Sequence, residues 1–153
     1  MEIEQKILFL NSLGTKELIA KISEAEEHLK TAMVWDANYR KEHVGYLASY
    51  NEDCAAVKNI LAELLPEMPK IFVADEKAVG GIKEKPATQI QIESWLRQQR
   101  STNPNVVAAT DFQNQVTFQI ETDRIEIEMA KKKLESLKAV LGLRAAQIEF
   151  LKE

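Results

Sequence analysis

At 153 residues the chain is long enough for one domain with a sizeable core. Apolar residues at 45% and charged residues at 29% exclude a disordered or low-complexity chain, and a formal charge of −4 argues against a general nucleic-acid binder. Only five glycines and four prolines interrupt a sequence rich in good helix formers, so the expected class is all-α, a single helical domain over 1–153.

The first stretch, 1–14, reads as an arm or a short helix with Ile3, Ile7, Leu8 and Leu10 on one side. It lacks a basic leader region, and its apolar run at 7–10 is too short for a signal core or a membrane span, which sets the expectation of a cytoplasmic protein. Gly14-Thr15 marks a stop and a fresh helix start, with Thr15 as the cap and Glu17 complementing the dipole of the first turn. No proline occurs in the first long segment, 15–65. Ile22, Leu29, Tyr50, Val57 and Leu64 fall on a seven-residue grid there, flanked by Leu18, Ala25, Ala32, Leu47, Cys54 and Leu61. One helix over this length would span about 75 Å; a break at 35–38 or a bend at Gly45 are the alternatives. Cys54, the single cysteine, sits at an apolar grid position and reads as a buried, inert thiol of a reducing compartment.

Pro66 and Pro69 end that segment and open a small irregular head, 66–103. Residues 70–74 look like a short strand, 75–77 like a turn and 79–82 like a returning segment, so a short β-hairpin competes with an irregular arm. Pro86-Ala87-Thr88 then opens a short amphipathic helix over 89–100, with Ile92, Trp95 and Leu96 as its apolar side. Asn103 as cap and Pro104 at the first helical position start the last long helix, 104–152, of roughly 70 Å.

In that helix Ile120, Ile127, Leu134, Leu141 and Ile148 form a ladder at seven-residue spacing, with Val116, Ala130, Leu137 and Leu151 between its rungs. This is the pattern of a helix docked lengthwise on another. Two long segments joined by a head predict an elongated antiparallel helical hairpin or bundle with coiled-coil-like helices. A second apolar stripe lies well round the last helix: Phe118 and Ile125 on one heptad position, and Met129, Leu143 and Phe150 on the next. It needs a cover. The N-terminal arm, the 15–35 segment or the head helix of the same chain could supply one, but a hairpin's two helices cover one stripe each, which favours a second copy and a homo-oligomer.

Polar residues interrupt both apolar grids: Asp36, Arg40 and His43 in the first segment, Asp123 and Arg144 in the last. Such residues cost stability and set register. If residue 65 lies opposite 104, facing positions sum to about 169, since both helices rise equally per residue. Asp123 then meets His43 and Tyr46, and Arg144 meets Glu24 and Glu26.

Chemistry is not indicated. Neither histidine completes a Glu-x-x-His pair, because Ala25 precedes His28 by three and Arg40 precedes His43 by three, so no metal site is expected. Val79-Gly80-Gly81-Ile82-Lys83 lacks the spacing of a phosphate-binding loop, and no nucleophile elbow, zinc signature or dinucleotide fingerprint occurs. The expected function is therefore a non-enzymatic helical interaction protein without cofactor: a self-associating scaffold or adaptor whose head meets a protein partner, with no membrane involvement. The second reading is an accessory protein of nucleic-acid metabolism. Its contact would be the basic region 77–100, where Lys77, Lys83, Lys85, Arg97 and Arg100 outnumber Glu84 and Glu93 around Trp95.

Overall fold

The computed structural model describes Gln5 and residues 14–152, with side chains to residue 147. The arm expected over 1–14 and the Ile148 and Phe150 side chains fall outside this range, save Gln5 and Gly14. The elements in order are α1 (Thr15–Glu42), a 3-10 turn (Val44–Tyr46), α2 (Ala55–Leu64), β1 (Ile71–Ala74), β2 (Ile82–Lys85), α3 (Gln89–Thr102) and α4 (Pro104–Lys152). The protein is thus predominantly helical, with two long helices, a short two-stranded sheet and a short helix, as the composition and periodicity predict.

Two compact units result, one from 14–42 with 119–152 and one from 43–118, and α4 contributes a part to each. In the first unit Leu137 packs among Leu18, Ile22 and Ala25, with Leu134, Val140 and Leu141 against the cluster. Seven residues apart on α4, Asp123, Ala130 and Leu137 are buried, while Ile120, Ile127, Leu134 and Leu141 are half-buried. The middle of the seam is therefore the row between the rungs of the isoleucine–leucine ladder, and the ladder is its shoulder. On α1 the matching positions are Leu18, Ile22, Ala25, Leu29, Ala32, Asp36 and Tyr39, at alternating spacings of four and three. Gly14 stands at the cap position in place of Thr15, its carbonyl accepting the Leu18 N–H at 2.9 Å.

The segment 15–65 does not form one helix, and the interruption does not fall at 35–38, which is helical. It lies at 43–54, where Gly45 sits in the 3-10 turn and Asn51 adopts φ 61°, a left-handed conformation that asparagine tolerates better than most residues. This loop is held by α4. The Cys54 N–H donates to Gln113 Oε1 at 3.1 Å, and Gln113 Nε2 donates to the Glu52 carbonyl at 2.9 Å. One amide thus satisfies a donor at the start of α2 and an acceptor just before it. Below it Cys54, Val57, Leu61, Val106 and Ala109 form the core of the second unit, with Tyr46, Ile60, Leu64 and Leu96 packed against them. Cys54 is a free, buried thiol, as its grid position predicts.

The head contains a β-hairpin. Its strands pair antiparallel with Ile71 opposite Lys85 and Ala74 opposite Ile82. The return strand starts at Ile82, and 79–81 form a tight turn in which Gly80 (φ 81°) and Gly81 (φ 76°) take conformations open to glycine. Both helix starts after it follow the sequence signals. Thr88 and Gln91 make a reciprocal capping box, and the Asn103 carboxamide oxygen accepts the Asn105 N–H at 3.0 Å and the Val106 N–H at 3.4 Å.

Gln113→Ala removes both loop bonds and leaves the Cys54 N–H without its partner, a cost of about 1–3 kcal/mol. Urea unfolding should show a lower midpoint, and amide hydrogen exchange should speed up at the start of α2.

Candidate functional site

Two features of the first unit stand out as places where this chain can do something: an acidic interruption of the seam, and apolar faces turned away from it. The acidic interruption is built by helix spacing. Asp36 and Asp123 occupy seam positions on α1 and α4, so pairing the helices brings the two carboxyls within hydrogen-bonding reach. Asp123 is only 6% exposed. Its Oδ1 accepts from Gln119 Nε2 at 2.9 Å, one helical turn earlier, and Asp36 Oδ2 accepts from Arg40 Nε at 3.0 Å, one turn later. The other oxygen of each, Asp36 Oδ1 and Asp123 Oδ2, is shut away from solvent with no donor.

Burial pushes the Asp123 carboxyl above the usual carboxylate range. The Gln119 hydrogen bond opposes this, and the facing Asp36 and nearby Glu126 add to it. Beside the pair opens a cleft of about 320 Å³ lined by His28, Thr31, Ala32, Trp35, Gln119, Asp123 and Glu126. Trp35 forms one lip and stacks on Tyr39, ring centres 5.3 Å apart. Among the described residues no group of three or more His, Cys, Asp or Glu side chains is placed to hold a metal ion.

This arrangement corrects the register expected from sequence. Asp123 meets Asp36, and His43 packs instead on Phe112, 5.7 Å between ring centres. Glu26 pairs with Lys138 at 3.6 Å, where the expected register put Arg144; Arg144 is half-buried. The expected sum of about 169 assumed one unbroken helix up to residue 65. α2 stays near that register, with Cys54 bonded to Gln113 and Leu61 packed with Val106 and Ala109, but the break at 43–54 separates α1 from it, and the Asp36–Asp123 facing gives a sum nearer 159.

The outer stripe of α4 is uncovered by the described residues. Ile125 is 49% exposed, Met129 66% and Leu143 54%, and Phe118, in the second unit, is also exposed. Measured from the 123–130–137 row, Ile125 points roughly the opposite way, and Met129 and Leu143 stand about 100–120° round the helix from it. The segment 15–35, one candidate cover, lies on the seam instead. Sequence reasoning missed that α1 also carries exposed apolar side chains, Ile19, Met33 and Val34, along with half-exposed Trp35. The available signal was that Ile19 and Met33 stand two heptads apart, just beside the seam row.

The basic candidates of the head are partly neutralised by their own surroundings. Arg100 pairs with Asp53 at 2.6 Å, and Lys83 pairs with Asp75 at 3.4 Å. Lys77, Lys85 and Arg97 are exposed. Trp95 is half-buried, and its neighbour Leu96 is the α3 side chain packed on the core of the second unit. That unit also carries a groove of about 550 Å³, with Tyr46, Ile60, Leu64 and Phe112 as apolar walls and Glu63 and Glu67 at its edge.

Comparison with protein-family models, with curated proteins and with solved structures gives no match. No helix among the described residues is long and apolar enough to cross a membrane.

The register is open to direct test. In a Cys54→Ser background, Asp36→Cys with Asp123→Cys should cross-link within one chain under mild oxidation. Glu26→Cys with Arg144→Cys should not, since Arg144 lies about 9 Å along the helix from Lys138, the residue that Glu26 meets. The check is a non-reducing gel with mass analysis of the linked peptides.

Proposed function

We propose that this chain is a non-enzymatic, self-associating helical scaffold or adaptor of the cytoplasm, in which the outer stripe of α4 meets its counterpart on a second copy and the head, 66–103, presents a surface to a protein partner. The observation that carries the reading is Ile125, Met129 and Leu143 standing about half to two-thirds exposed on the flank and back of α4, away from the seam. Large apolar side chains in such a row are uncommon on a monomer's free surface.

The magnitudes allow it. Covering a side chain of this size contributes about 1.5–3 kcal/mol when it passes from full exposure to full burial. These side chains are already partly shielded, so roughly half of that is available from each. A two-fold contact uses the same patch on both copies and doubles the number of side chains covered. Association costs about 4–15 kcal/mol in lost freedom, so the three positions alone give a weak dimer. Ile19, Met33 and Val34 on α1 supply further apolar surface if the contact reaches round the unit. A helical pair that meets a second pair becomes a four-helix arrangement of the coiled-coil type.

Size-exclusion chromatography with light scattering over a range of concentrations tests the reading. Wild type should show a concentration-dependent rise above the monomer mass of 17.4 kDa. Ile125→Lys with Leu143→Lys should hold the chain at monomer mass while helical circular dichroism is unchanged, because both positions are exposed within one chain. A wild type that stays monomeric at high concentration sinks the proposal.

A further inference from the structure

The seam of the first unit places two acids face to face in a row that is otherwise apolar. Two carboxylates with buried, donor-less oxygens cannot both stay charged at this separation without strong mutual repulsion. Something positive has to lie between them, and the smallest candidate is a proton.

We infer that Asp36 and Asp123 share one proton across the seam, so that the pair is a latch that holds α1 on α4 when protonated and loosens it when the proton leaves. The neighbours assign the positions. On α1, Asp36 Oδ2 already accepts from the charged Arg40 Nε, which leaves Oδ1 as the oxygen free to accept a further proton. On α4, Gln119 gives Asp123 Oδ1 only a neutral donor, and Glu126 adds negative charge nearby. The proton accordingly sits on Asp123 Oδ2 and is donated to Asp36 Oδ1, the two oxygens that have no other donor. Among the described residues that line the cleft beside Asp123, His28 and Glu126 are the other titratable groups.

The direction of the pH effect follows. The folded chain holds this proton more tightly than the unfolded chain, where an aspartate titrates near about 3.9. Below that value both states carry the proton and the full stabilisation is present. It is lost as the pH rises from there through the raised value of the folded pair. This is the reverse of ordinary acid denaturation, in which ion-paired carboxylates lose stability as the pH falls. In the window between the two values, one shared proton changes the folded-to-unfolded ratio by up to about tenfold per pH unit. The titration belongs to the pair as a whole.

The test is thermal unfolding of the full chain between pH 4 and pH 8, followed by helical circular dichroism, for wild type, Asp123→Asn and His28→Asn. An asparagine amide at 123 can donate to Asp36 at every pH. Asp123→Asn should therefore unfold at a higher temperature than wild type at pH 8 and show a flatter slope between pH 5 and pH 8, while His28→Asn keeps the wild-type slope. Carboxyl-carbon NMR of wild type gives a local readout that does not depend on any variant folding. One aspartate signal should move through a midpoint above the ordinary range, and Asp36 and Asp123 should shift together. The inference fails if Asp123→Asn has the wild-type pH slope, if His28→Asn abolishes that slope, or if both aspartates titrate independently in the ordinary range. It fails equally if millimolar calcium or magnesium raises the wild-type unfolding temperature at pH 8 and chelator reverses this while Asp123→Asn does not respond. That result would put a metal ion where the proton is assigned.

Discussion

A helix that packs on one neighbour hides one stripe of its surface, and this geometric limit shapes the first unit. α1 and the second part of α4 bury Leu18, Ile22, Ala25, Ala130 and Leu137 between them. Leu134, Val140 and Leu141 flank that stripe, and Asp123 is buried within it. The narrow seam leaves little room for error in composition, which is why a buried aspartate within it matters more than it would in a broad core. A polar group in a thick core can find donors on several sides; one in a two-helix seam has only its own helix and the helix opposite. Asp123 takes Gln119 from its own helix and finds Asp36 across from it.

The same limit explains the outer stripe. α4 is apolar on two faces because its sequence repeats hydrophobic residues at more heptad positions than one partner can cover. The second unit is built differently. There α2, the start of α4 and Leu96 of α3 enclose a core of five buried side chains, and Gln113 ties the loop before α2 to the helix beside it. A side-chain amide is well suited to this, since it offers a donor and an acceptor a short distance apart.

Much of this was legible in the sequence, and the misses have physical causes. Pro104, Asn103 and Thr88 announced helix starts because capping is a local matter of one side chain and a few backbone amides. The β-hairpin was foreshadowed by an apolar run and by a double glycine, which forms the tight turn before the return strand. Of the two places where the first segment could break, Gly45 lies in the observed interruption and 35–38 does not. Residues 35–38 have modest helix propensity, yet tertiary packing of Tyr39 and Asp36 carries the helix through them, while the low propensity of Gly45 marks the 3-10 turn but not the length of the loop that follows it. The register error followed directly, since a hairpin aligned from its far end inherits every mistake about where a helix stops. The seam residues Asp36 and Asp123 were both identifiable as polar interruptions, but their mutual partnership was not, because periodicity gives each helix its face and says nothing about which turn meets which. The basic head was legible as a charge count. That Asp53 and Asp75 neutralise part of it was not, for one of those acids lies far away in sequence.

The division of the chain has a consequence for how it assembles. The second unit is contiguous, from 43 to 118, whereas the first joins residues on either side of it. Bringing α1 against the far part of α4 means closing a loop that contains the whole second unit. Closure entropy grows with the length of flexible chain in that loop, so a folded second unit lowers the cost by replacing a long flexible tether with a compact one. During synthesis the ribosome also completes 43–118 before the part of α4 that packs on α1 exists. The chain is thus nested in time as it is in sequence: the inner unit can stand before the outer one closes, and α1 waits with its apolar face bare until then.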